Sequence, residues 1–172
     1  MGEPSHAVLD AIRQRRSIRQ YRDEPVSDAD VRTILEAAQW APSGLNNQPW
    51  RFVVVRDADV RHEVAEQTRY REIIRSAPLM IAVFLDHEAS YDRVKDCQAI
   101  GACLQNMWLA MYALGLGGVW IGEILKNGTR VRQILKVPET CELMAVMAVG
   151  HPISRQQHSQ RKPLSELILK EI

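Results

Sequence analysis

The chain has almost no net charge: 22 Lys and Arg stand against 21 Asp and Glu, leaving +1. No global field therefore draws it to nucleic acid or to a membrane surface, and any basic function has to be local. Cysteine is sparse too. Cys97, Cys103 and Cys141 show no Cys-x-x-Cys spacing and sit in apolar or helical sequence, which excludes a disulfide frame or a zinc site and suits reduced thiols in the cytoplasm. The start of the chain lacks the charged-then-apolar pattern of an export signal. There is no repeat, no low-complexity tract and no linker, so residues 1–172 are read as one domain. At 46% hydrophobic and 25% charged residues, it has the make-up of an ordinary globular protein with a sizeable core.

The usual catalytic side-chain patterns are also missing. His62-Glu63-Val64-Ala65-Glu66 ends in Glu where a zincin has its second His, and His6, His87, His151 and His158 have no ligand spacing. No metal is expected. No Gly-x-Ser-x-Gly elbow or Gly-Lys-Ser/Thr phosphate loop occurs. The run 115–122 resembles a dinucleotide fingerprint only superficially, because Trp120 stands where its third glycine would be and a helix precedes it. With no side-chain machinery in view, a bound cofactor is the economical source of chemistry.

What the chain does have is a dense turn, Trp40-Ala41-Pro42-Ser43-Gly44-Leu45-Asn46-Asn47-Gln48-Pro49-Trp50, leading into the β-branched run Arg51–Val55. Two prolines, a glycine and several amides preclude a regular element and present polar groups outward; taken alone, the loop reads first as a rigid helix-to-strand connection. Helical spacing is expected over 6–15, over a second helix opened by Ser27 and Asp30, over 57–67 and 69–75, and over a long helix 92–114 with Val94, Cys97, Leu104, Trp108 and Met111 along one side. Between Cys97 and Gly122 no side chain is charged; Gln98, Gln105, Asn106 and the glycines argue for a buried or interface helix rather than a membrane span. Leu79–Leu85 and Glu142–Gly150 read as buried strands, 116–122 as a short strand or turn, 129–135 as a helix, and 163–172 as a short amphipathic helix. Strands interspersed among helices indicate a sheet covered by helices.

The cluster Arg15-Arg16-Ser17-Ile18-Arg19 joins guanidinium forks to a hydroxyl, a set suited to a phosphate monoester, and one helical turn would bring Arg15 and Arg19 together. It is also what a solvated basic helix end looks like. Arg161-Lys162 offers a second cationic arm.

In order along the chain, Arg15–Arg19, Ala41–Phe52, Asn106–Ala110, Leu114–Gly122 and Gly150-His151-Pro152 resemble the FMN-dependent nitroreductase family in its short form. The resemblance implies an α+β fold, a mainly antiparallel central sheet flanked by helices, in an intertwined homodimer with FMN at the subunit interface. It implies that Arg15, Arg16, Ser17 and Arg19 hold the phosphate and ribityl chain, with Arg161 closing over the phosphate. Pro42, Ser43, Gly44 and Asn46 would come from the second subunit to line the isoalloxazine. Trp120, Ile121, Gly122 and Glu123 would run under the ring, the Gly122 amide facing N5, with no side chain acting as acid or base. The implied reaction is ping-pong hydride transfer from NADH or NADPH to a nitroaromatic, quinone or similar small acceptor. Reductive dehalogenation or enal and aldehyde reduction are the alternatives within the family. A non-catalytic module binding flavin, or nucleic acid through the Arg13–Arg22 patch, is the alternative outside it.

Overall fold

The structure is a computed structural model and describes residues 7–172. Its elements are α1 (Ala7–Gln14), α2 (Asp28–Gln39), β1 (Trp50–Val55), α3 (Ala58–Ala65), α4 (Arg71–Ser76), β2 (Leu79–Asp86), α5 (Arg93–Ala113), β3 (Gly117–Ile121), α6 (Gly128–Ile134) and β4 (Cys141–Gly150). The four strands form one sheet in the order β1-β2-β4-β3, and every pairing is antiparallel. The mixed helix and antiparallel-sheet architecture is the one expected.

The unbroken apolar run of β2 follows from its place between β1 and β4. Leu79, Ile81, Val83 and Leu85 face a core built with Ile34 of α2 and Ile100, Leu104, Met107 and Met111 of α5. Met80, Ala82 and Phe84 face the opposite core with Ile18, Val64, Ile74 and Val131. With both faces covered, alternation has no polar face to mark. Large apolar side chains buried to this depth contribute about 1.5–3 kcal/mol each, which pins the register of the whole sheet.

Helix α2 starts as its sequence requires: Ser27 Oγ accepts from the Asp30 amide at 3.0 Å, and its hydroxyl donates to the Asp30 carboxylate at 2.7 Å. Helix α5 is capped by Asp92, whose side chain accepts from the Lys95 amide at 3.0 Å. It ends where Gly115 turns left-handed (φ 75°), letting the Leu116 amide reach back to the Met111 carbonyl at 2.8 Å. Among the described residues no helix is long and apolar enough to cross a membrane.

Three expectations are corrected. Val94 is 68% exposed rather than part of the α5 core stripe, whereas Asp96, two residues on, is fully buried. The 163–172 helix is reduced to a 3-10 turn at Leu164–Glu166, and every residue from Ile153 onward is exposed; ten residues with nothing to pack on are too short to hold a helix alone. Helix α1 stops at Gln14, so Arg15 to Arg19 are not on one helical turn. The start expected for α1 at His6 lies outside the described residues.

Candidate functional site

Past Gln14 the chain straightens and lies along β3. Ser17 bridges Gly118, and the Ile18 amide donates to the Gly118 carbonyl at 3.0 Å. Gly117 makes this contact possible, since a methyl there would come within 2.6 Å of Ile18 Cγ1. The same Gly118 carbonyl accepts a second hydrogen bond, from Trp108 Nε1 of α5 at 3.0 Å. Three elements thus meet at one peptide group, and the geometry of the cluster follows from it.

The Arg15 guanidinium lies over the Trp108 ring, 4.0 Å from its centroid. Its Nη1 is buried without a hydrogen-bond partner. Its pKa is lowered by burial first and then by the charges of Arg16 and Arg161, all acting in the same direction. A stacked, partly desolvated cation beside two more cations is an arrangement whose missing partner is an anion. Arg16 is committed differently: its Nε donates to the Gln157 carbonyl at 3.0 Å and its Nη1 to the carbonyls of Arg13 and Arg15 at 2.6 and 2.9 Å. It therefore ties the end of α1 to the tail that carries Arg161. Arg161 is exposed and donates to Gln160 O and Ser159 Oγ. Arg19 is exposed, its Nη1 only reaching Ser17 O at 3.5 Å.

From Gly118, β3 leads to Trp120, Ile121 and Gly122, about 13 Å of extended chain. Trp120 is partly exposed and Ile121 is buried. Gly122 has an ordinary φ of −89°, and a methyl there would meet only Trp120 Nε1 at 3.9 Å. Neither backbone conformation nor neighbours within the chain require glycine, so the open space over this peptide is available to a ligand. The Glu123 carboxylate is engaged by its neighbours. It pairs with Lys126 and accepts from Thr68 Oγ1 at 2.5 Å and the Arg69 amide at 3.3 Å, and the Lys126 and Thr68 hydrogen bonds first of all hold its pKa down to about 2. Glu123 fastens the 66–70 segment to this turn.

The Pro42–Gln48 turn lines a different cavity. Leu45, Asn46 and Gln48 all have positive φ (55°, 54° and 46°), each left-handed placement of a non-glycine residue costing about 1–2 kcal/mol. The turn is held by the Gln48 amide donating to Ser43 Oγ at 3.1 Å and by Asn47, whose Nδ2 donates to Asp96 Oδ1 at 2.8 Å and to Ala89 O at 3.0 Å. Asp96 Oδ2 also accepts from Ser90 Oγ at 2.6 Å and from the amides of Tyr91 and Asp92 at 3.1 and 3.3 Å. Burial raises the Asp96 pKa, but these hydrogen bonds outweigh it and the net direction is down.

Within one chain, then, Arg15, Arg16, Ser17 and Arg161 come together beside β3, and Trp120 to Glu123 lie at the far end of that strand. Pro42, Ser43, Gly44 and Asn46 stand apart: Ser43 and Gly44 line a cavity with Tyr91 and Lys95, whereas Arg16 lines one with Gln14, Tyr112 and Arg155. A further groove of about 970 Å³ between α2 and the edge strand β1 contains none of the expected residues. Trp108 and Asp96 were not anticipated as site residues. Trp108 reads as core from its helical spacing, and the one sign for Asp96 is that it is the last charge before the uncharged run.

The sequence profile of the nitroreductase family matches residues 12–70 and 60–151. The chain belongs to that family. Among nitroreductase relatives, an Archaeoglobus fulgidus protein provisionally named NADH dehydrogenase or NAD(P)H nitroreductase is 37% identical over 150 residues, 84% of each chain. A Desulfovibrio desulfuricans protein, provisionally called a nitroreductase and crystallised in complex with FMN, is 51% identical with a TM-score of 0.92, covering 100% of this chain and 99% of that one. The NADPH:FMN oxidoreductase of Vibrio harveyi, crystallised with NAD+, is 25% identical with a TM-score of 0.88 over 97% of this chain and 78% of that one.

Proposed function

We propose that this chain is an FMN-dependent oxidoreductase that carries hydride from NADH or NADPH to a nitroaromatic, quinone or similar electron-poor acceptor. It acts as a homodimer in the cytoplasm, residues 1–172 forming one domain. The observation that carries this reading is Arg15: partly buried and stacked on Trp108, unpartnered at Nη1 and repelled by Arg16 and Arg161, it suits the phosphate of the FMN that the Desulfovibrio protein binds.

Arg15 grips the phosphate, Arg161 closes over it from the tail, and Ser17 and Arg19 lie along the ribityl chain; Arg16 holds the tail in place. Trp120, Ile121 and Glu123 carry the backbone beneath the ring, and the Gly122 amide donates toward N5. Bound FMN supplies a two-electron carrier between reduced nicotinamide and acceptor, which the protein's own side chains lack. A main-chain donor at that position stabilises developing negative charge without acid or base side chains. Pro42, Ser43, Gly44 and Asn46 of the second copy complete the site. This division suits a turn that lines its own cavity. It also suits the apolar groups left uncovered in one chain: Val8, Leu9 and Ile12 on α1 and Leu164, Leu167, Ile168 and Leu169 in the tail. The nucleic-acid reading is not favoured, since Arg15 is stacked and Arg16 is committed to carbonyl oxygens.

The direct test is a titration of the purified protein with FMN. One flavin per chain of a dimer, bleached by NADH or NADPH and recoloured by a nitroaromatic or quinone, is expected; a protein that takes up no FMN overturns the reading. A sharper check is Gly122→Ala. Because a methyl fits the unliganded chain, the unfolding free energy should hold within about 1 kcal/mol, while the steric conflict with a bound ring should weaken FMN binding about tenfold or more. Unchanged FMN affinity in that variant would remove Gly122 from the ring.

A further inference from the structure

Between the 42–44 turn and the start of α5 lies a cavity of about 330 Å³, with Pro42, Ser43 and Gly44 on one side and Tyr91, Lys95 and Gln98 on the other. Beyond them α5 presents only alanine methyls to it. Lys95 is the one charged residue in this lining. Its Nζ sits over the Tyr91 ring, 5.1 Å from the centroid, and among the described residues it makes no ion pair. The acids nearest in sequence are engaged elsewhere: Asp92 accepts from the Lys95 backbone amide, and Asp96 is buried among its donors.

The cavity is also held in shape. Tyr91 covers Gly44 so closely that a methyl at Gly44 would run into the phenol. Asp96 accepts from Asn47 on the turn and from the Tyr91 amide, fixing the two walls relative to each other. This open depression, in which Tyr91, Lys95 and Gln98 are exposed, offers an aromatic face, an amide, small apolar groups and a single cation. That set is complementary to a small aromatic ring bearing an anionic substituent.

We propose that this cavity is the anion-binding part of the acceptor site, and that Lys95 selects acceptors whose aromatic ring carries a carboxylate or sulfonate. The proposal rests on the reading above, in which the 42–46 turn faces the flavin of the second copy. Lys95 then arrives with that turn and meets the end of the acceptor away from the reacting group.

The test compares 4-nitrobenzoate with 4-nitrobenzyl alcohol, a neutral analogue of similar shape, by kcat/KM in the FMN-loaded protein at low salt. Wild type should favour the carboxylate by about tenfold, the scale of a charge-assisted hydrogen bond at a partly exposed site. The preference should fall as salt is raised, approach unity in Lys95→Gln and invert in Lys95→Glu. Benzoate, which cannot be reduced, gives a readout without turnover: its Kd, read from the perturbed flavin absorbance of the oxidised protein, should rise about tenfold in Lys95→Gln. A wild-type protein that takes up no FMN defeats the underlying reading. Full FMN uptake with the same carboxylate preference and the same benzoate Kd in wild type and Lys95→Gln overturns the Lys95 subsite alone.

Discussion

Replacing Arg15 with alanine is expected to weaken FMN binding by about 100-fold, on the order of 3 kcal/mol, without destabilising the FMN-free protein. The two halves of this expectation have one origin. In the unliganded chain the guanidinium is partly desolvated, unpartnered at Nη1 and close to two like charges, so removing it relieves repulsion as well as losing its stacking on Trp108. A residue present for structure alone would behave in the opposite way, lowering the urea midpoint and leaving FMN affinity intact. Arg19→Ala supplies the contrast: its side chain is exposed and its reach to Ser17 O is 3.5 Å, so only a few-fold loss is expected from a screened surface cation. Flavin fluorescence titrations and urea denaturation of both variants decide the matter. An Arg15→Ala protein that binds FMN within threefold of wild type would defeat the phosphate assignment.

That asymmetry between Arg15 and Arg19 was beyond the reach of sequence reasoning, for a physical reason. Spacing of four suggests one helical face, but whether the helix continues past Gln14 depends on the Ile18 amide finding the Gly118 carbonyl, about a hundred residues away. Local pattern was informative where local forces decide the outcome. Ser27 with Asp30 begins α2, Asp92 begins α5, and the unbroken run of β2 marks a strand covered on both faces. It misled where tertiary contacts decide. The stripe through Val94 assumed that the first turn of α5 faces the core with its apolar side, whereas the turn is rotated so that Asp96 goes in and Val94 faces out. The 163–172 stretch has a helical pattern but nothing in its own chain to pack against. The residues of the candidate site were legible as a set because the order of the motifs identifies the family. The resemblance already divides them between the Arg15–Arg19 cluster and a turn from the second copy, whereas the stacking of Trp108 on Arg15 and the hydrogen bond from Asn47 to the buried Asp96 depend on tertiary contacts that no local pattern shows.

Asp96→Ala is expected to cost about 3–5 kcal/mol of folding free energy. The carboxylate is fully buried and among the described residues makes no ion pair; Asn47 Nδ2, Ser90 Oγ and the amides of Tyr91 and Asp92 compensate it. Its removal leaves those donors unsatisfied together and frees the turn that keeps Leu45, Asn46 and Gln48 left-handed, a conformation that persists only while its surroundings over-determine it. Asp96→Asn should lie between wild type and alanine, since the amide keeps one acceptor but turns NH2 toward groups that are themselves donors. The pH dependence has a definite sign. The folded pKa lies below the ordinary 3.8, so the stabilisation is fully present above that value and is lost as pH falls from 3.8 through the folded pKa. The gap between wild type and Asp96→Ala should therefore narrow in acid. If the turn completes the site of a second copy, as proposed above, the same substitution should also weaken FMN binding through the turn that Asp96 holds. Urea denaturation at pH 7 and in acid measures both the size and the trend. A gap below about 1 kcal/mol at neutral pH, or one that widens in acid, would show that Asp96 is not the clamp that holds the turn.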